Sequence, residues 1–229
     1  DTIARSLNRR FGTSFHQNNI LMTVGAASGL NIILKTLLNP GDEVIVFAPY
    51  FVEYGSYVRN YDGNLVVISP NTEDFQPNLE KLGEKITPRT KAVIINTPNN
   101  PTGVVYSAGT LARMADILRE RQTQLGTDIV LISDEPYREL AYDGVEVPYV
   151  TGFYENTVIC YSYSKSLSLP GERIDYLVIP DALKDSQEVF NAATIANRVM
   201  GAVNAPSLMQ RVIKRCVDEN VNLEAYDRN

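Results

Sequence analysis

Cysteine and histidine are scarce in this chain, which holds two of the first and one of the second in 229 residues. Cys160 and Cys216 do not make a disulfide framework. Thiols left free suit a reducing compartment, so a cytoplasmic protein is expected, with Cys160 a small core residue inside an apolar run. His16 stands alone, so no Cys/His cluster offers a zinc site. A Ser-His-Asp hydrolase would have to use His16, and no Gly-x-Ser-x-Gly elbow accompanies it. A P-loop is missing, as is a Gly-x-Gly-x-x-Gly after a strand, which removes the usual support for nucleotide binding. Positive charge is outnumbered, 21 Lys and Arg against 27 Asp and Glu, giving −6 and a pI near 4.9. That balance argues against a nucleic-acid partner. No apolar run approaches the ~20 residues of a membrane span. The opening Asp1-Thr2-Ile3-Ala4-Arg5 lacks the basic-then-apolar layout of a secretory signal.

What the chain does have is a 44% hydrophobic content, enough for one large domain or two small ones. Ile3, Ala4, Leu7 and Phe11 share a helical face, and Gly12-Thr13 ends that helix. Strand-like runs follow at 22–24, 43–47, 65–69, 92–96, 129–133, 157–161 and 176–179. Helical patterns lie between them, near 27–38, 51–60, 78–83 and 107–125. A last helical region begins near Asp181 and breaks around Asn204-Ala205-Pro206, and Asp218 to Asn229 reads as a helix that stops. Strands alternating with helices predict an α/β fold of three layers, α/β/α, with a mostly parallel central sheet.

The most informative residue is Lys165, in Ser162-Tyr163-Ser164-Lys165, with Arg173 eight residues on. Thr157 to Tyr161 reads as a buried strand, so this lysine stands where a strand gives way to a loop. A lysine there can form a Schiff base with a carbonyl. The neighbouring serines and arginine can hold a phosphate. Pyridoxal phosphate, an aldehyde and a phosphate in one molecule, fits both halves. Asn99-Asn100-Pro101-Thr102-Gly103 and Ser133-Asp134-Glu135-Pro136-Tyr137 each follow a strand-like run, at the ends where open α/β sheets bind ligands. A carboxylate there pairs with a protonated pyridine nitrogen, and a Tyr and an Asn reach the ring hydroxyl.

These three motifs, in this order, resemble the fold-type I pyridoxal phosphate family, and within it the class I/II aminotransferases. The likeness runs from about Arg9 to the last helix. It implies Lys165 as the Schiff-base lysine, Asp134 as partner of the pyridine nitrogen, and Tyr137 with Asn100 at the ring oxygen. It further implies Tyr50 stacked on one ring face and Pro136 on the other. Ala26, Ala27 and Ser28 open a helix whose N–H groups favour a phosphate, with Ser162, Arg173 and more weakly Ser164 completing the cup. Each has a plain alternative: a solvated lysine, a cap at Asp134, a turn at Asn100, a core aromatic at Tyr50, an Arg173–Glu172 surface pair. Burial and nearby positive charge are expected to depress the Lys165 pKa.

The resemblance implies amino acid and 2-oxo acid substrates and a homodimer. It makes residues 1–229 the cofactor-binding large domain, without the C-terminal small domain and N-terminal arm of such enzymes. This chain alone is then expected to bind cofactor but turn over poorly. Two other readings stay open: another reaction of the same cofactor and fold, such as a β-lyase or decarboxylase, and a non-catalytic sensor domain of a regulator.

Overall fold

A computed structural model describes residues 1–219. In chain order the elements are α1 (Thr2–Phe11), β1 (Ile20–Thr23), α2 (Ala26–Leu37), β2 (Glu43–Phe47), α3 (Tyr54–Arg59) and β3 (Asn64–Ile68). Then come α4 (Leu79–Lys85), β4 (Thr90–Asn96), α5 (Ala108–Leu125), β5 (Val130–Asp134) and β6 (Thr157–Ser162). The one-turn α6 (Tyr163–Ser166), β7 (Asp175–Val178), α7 (Ser186–Val199) and α8 (Ser207–Asp218) complete them. The helix expected over 218–229 lies, beyond its first two residues, outside the described residues.

The strands form one seven-stranded sheet in the order β1-β7-β6-β5-β4-β2-β3. β3, β2, β4, β5 and β6 run parallel, while β7 is antiparallel to both β6 and β1. Period-two alternation splits the strand side chains between two cores. Ile45, Val93, Leu131 and Ile159 face one side, with Leu82 of α4 and Leu111, Met114 and Leu118 of α5. Val44, Ile94, Ile132 and Val158 face the other, with Leu30 to Leu37 of α2, Val58 of α3 and Ala193 of α7. Every residue of β2, β5 and β6 is buried, as a parallel sheet covered on both faces requires. The three-layer α/β/α reading therefore stands, with β1 and β7 as its antiparallel part. Among the described residues no helix is long and apolar enough to cross a membrane.

Several ends are set by local chemistry. The Ser107 side chain accepts from the Thr110 N–H and caps α5, which stops at Gly126 in a left-handed conformation, φ 64°. In α2 the missing side chain of Gly29 lets the helix lie against β6 and β7. A Cβ there would sit 3.0 Å from Cys160 Sγ and 3.3 Å from Leu177 Cδ2. Gly29→Val is expected to overpack this contact and lower stability by ~2 kcal/mol, read as a lower urea midpoint with an unchanged slope.

Candidate active site

Parallel strands that end together leave their last residues side by side. Asn96 closes β4, Asp134 closes β5 and Ser162 closes β6. Asn96 pairs with Asp134 in the sheet register, and Ser162 pairs with Asp175 at the start of antiparallel β7. By alternation all four fall on the side of the sheet covered by α2 and α3. There Asn96, Asp134 and Ser162 line a cleft of about 310 Å³, with Asp175 buried behind Ser162.

Of the residues predicted from sequence, Ala26, Ala27, Asn100, Asp134, Pro136, Tyr137, Ser162, Ser164, Lys165 and Arg173 line this cleft. Ser28 and Tyr50 do not. Tyr50 lies 6.5 Å from Tyr54, ring to ring, and nearly parallel to it. From the segment around Tyr50 the aromatics that line the cleft are Phe51 and Tyr57. Lys165 departs from expectation in one respect: α6 leaves it exposed at the cleft, where the sequence had suggested burial.

Asp134 is 6% exposed and carries the dominant electrostatic demand of the site. Its Oδ2 accepts from the Tyr54 hydroxyl at 2.6 Å, while its Oδ1 is buried with no partner. Burial pushes its pKa up to about 7; the Tyr54 hydrogen bond opposes this, and the negative charge of Asp175 adds to it. A carboxylate so placed calls for a cation. Asn96 anchors the strand end, donating to the Asp134 carbonyl at 2.8 Å and accepting from the Asn100 N–H at 2.6 Å. Asn100 in turn donates to the Tyr137 hydroxyl at 3.3 Å.

The other end of the cleft suits an anion. Gly25, at φ 89°, caps α2, and its backbone is so close to Arg173 that a Cβ would fall 1.9 Å from a guanidinium nitrogen. The arginine is thereby packed on the N-terminus of a 12-residue helix, where positive ends of peptide dipoles already gather. Arg173 itself holds φ 51°, a left-handed conformation that costs ~1–2 kcal/mol outside glycine. Its Nη1 donates to the Pro170 carbonyl at 2.8 Å, so the sequence alternative of a pair with Glu172 is not what the structure shows.

Sequence reasoning missed Tyr54, Phe51 and Asp175. It also missed the buried pair of Glu135 with Arg138, whose guanidinium sits 4.7 to 5.2 Å from the rings of Tyr149, Tyr161 and Phe11. That cage holds the turn between Asp134 and Tyr137.

Comparison with known proteins gives a consistent result. The family model described as aminotransferase class I and II matches residues 1–224. A probable aspartate/prephenate aminotransferase of Thermus aquaticus is 36% identical over 85% of this chain and 50% of its own length. An aspartate aminotransferase of Geobacillus stearothermophilus is 31% identical over 100% of this chain and 59% of its own. A crystal structure of an amino transferase from Eubacterium rectale superposes with a TM-score of 0.95 at 46% identity, covering 99% of this chain and 57% of that one. The chain thus spans about half the length of the curated relatives it matches.

Two outcomes follow from the Asp134 environment. A carboxyl whose folded pKa is raised stabilises fully below its unfolded pKa, near 4, and that stability is lost as pH rises through about 7. Asp134→Asn is therefore expected to gain stability relative to the cofactor-free native chain as pH goes from about 4 to 7, measured by urea unfolding across that range. Tyr54→Phe removes a donor to the ionised carboxylate; it should cost ~1.5–3 kcal/mol at pH 8 and clearly less at pH 5.

Proposed function

The chain belongs to the aminotransferase class I and II family, and from that premise we propose that the protein moves an amino group between an amino acid and a 2-oxo acid, using pyridoxal phosphate held in this cleft. The observation that carries the reading is the pairing of opposite demands in one cleft. A buried carboxylate oxygen lacks a partner at one end, an arginine packs on a helix N-terminus at the other, and a lysine amine lines the same space. A cationic ring nitrogen and a phosphate match those two ends. Bound there, the cofactor supplies an aldehyde carbon and an electron-withdrawing ring.

This chain's residues do the holding and the proton traffic. Asp134 Oδ1, buried without a partner, would hold the ring nitrogen and its proton, while Tyr54 secures Oδ2. Tyr137 and Asn100, already hydrogen-bonded to each other, present a hydroxyl and an amide to the ring oxygen. Ser162, Arg173 and the first N–H groups of α2 hold the phosphate, with Ser28 and Ser164 as lesser contributors. Phe51 and Pro136 line the cleft wall and would border the ring, and Tyr50 supports that wall through Tyr54. Lys165 Nζ, lining the cleft, would hold the cofactor's aldehyde carbon and would be the base that takes up and returns the substrate proton.

On this reading residues 1–229 serve as the cofactor-binding domain of a homodimeric enzyme. The two free cysteines suit a cytoplasmic location. Relatives named aspartate aminotransferases make aspartate the first donor to try.

The test is direct. Pyridoxal phosphate added to the purified chain should produce a visible absorbance band, and borohydride should fix the cofactor's mass on Lys165. Lys165→Ala should abolish both. A native chain that stays colourless and unlabelled at saturating cofactor sinks the assignment.

A further inference from the structure

Asp175 occupies an odd position for a negative charge. It opens β7 fully buried, and its Oδ1 accepts from the Ser162 hydroxyl at 2.9 Å and from the Tyr163 N–H at 2.9 Å. Its Oδ2 is buried with no partner. The Ala26 N–H at the head of α2 and the Arg173 guanidinium both favour its ionised form. Ser162, Arg173 and the head of α2 are the groups that make up the anion cup. A side-chain carboxylate thus already draws on the donors that an incoming phosphate needs.

Two full negative charges in one nest of donors repel strongly in a site with little water. One of them gains a proton, or the phosphate is held weakly. We propose that Asp175 couples phosphate binding to the uptake of one proton: the carboxyl is ionised in the free chain near neutral pH and takes a proton from solvent when the phosphate enters. The proton goes on Oδ2, the oxygen left without a partner. Cofactor affinity then weakens as pH rises, by up to about tenfold per pH unit, because each binding event draws a proton from an ever more dilute pool. This rests on the cofactor reading above.

The surroundings of Asp175 agree. Its pKa is raised by burial to about 6, with hydrogen bonds from Ser162 and Tyr163 and the charge of Arg173 opposing. Cys160 of β6 and Asp134 of β5 are the other titratable groups that feel its charge. From β1 it is met in register, across the sheet, by uncharged Thr23, and from α2 by a backbone N–H only. Lys165 lines from α6 the cleft that Ser162 separates from Asp175. Asp134 also exchanges a proton in the relevant range, so the measurement must be a difference between two proteins that both keep it.

Asp175→Asn preserves an acceptor for Ser162 and removes the charge; Asp175→Ala serves if the asparagine variant misfolds. Isothermal titration at pH 7.5 in two buffers of different ionisation heat counts the protons taken up with pyridoxal phosphate, and separately with inorganic phosphate. The native chain should take up close to one proton more than the variant with either ligand. The two affinities should converge near pH 5.5 and diverge by about tenfold per pH unit above pH 7. Equal proton counts and parallel pH profiles overturn the proposal. If borohydride fixes cofactor on Lys165 but no extra proton appears, Asp175 alone is misassigned. If Lys165 stays unlabelled while inorganic phosphate still brings the extra proton, the coupling stands and the cofactor reading falls.

Discussion

A carboxylate deprived of water is the constraint around which the cleft is arranged. Asp134 ends a strand buried on both faces, so the sheet that gives the domain its core also strips this side chain of solvent. Neutralising such a group without a cation needs protonation; keeping it charged needs donors. Tyr54 supplies one donor from α3, and Asn96 fixes the backbone beneath it from the neighbouring strand. The caged Arg138 clamps the turn that follows. One oxygen remains without a partner, and its demand falls within the ligand space. The fold thus stores an unmet charge interaction at the spot where a cationic ring can meet it.

The Arg173 end of the cleft obeys the opposite logic. Positive potential is concentrated by a helix terminus, by an arginine in a left-handed backbone, and by a glycine that lets the two touch. Asp175 tempers that potential from below. A cup with no internal anion would hold Arg173 against the head of α2 with nothing between them but repulsion. Asp175 relieves it, and the cost is competition with whatever anion arrives.

Much of this was legible in the residues. The strand at 43–47 was read at its observed bounds, because turn chemistry at Asn39 to Asp42 and Pro49 brackets a clean Val/Ile run. The helix read over 107–125 matches α5 to within one residue at its start. Other features escaped for physical reasons. Asp134 reads as a loop residue, since an aspartate is a poor strand former; it is in a strand because neighbours on both sides pair with its backbone. Asp175 was left outside a strand expected to start at Tyr176, and a carboxylate beginning a strand carries no signal of what faces it. Tyr50, Phe51, Tyr54 and Tyr57 are four aromatics in eight residues, and only the backbone path decides which one reaches the cleft. Period-two patterning marks a strand but not its direction, so the reversal of β7 was invisible. The exposure of Lys165 depends on a single helical turn too short to leave a periodic trace.

The placement of β1 has a consequence for how the molecule is made. Among the described residues, 20–23 pair only with 175–178, at the far edge of the sheet from β3. In chain order β1 precedes the five parallel strands β2 to β6 and its partner β7 follows them. Order of synthesis and order of assembly are therefore inverted at this edge. The nascent chain can lay β2, β3, β4, β5 and β6 side by side as each appears, but the head of α2 acquires its anchor only when β7 slots in between β6 and β1. The cup at the head of α2 is accordingly completed after the parallel strands: a chain made only through β6 can have those strands paired and still lack Arg173 and Asp175.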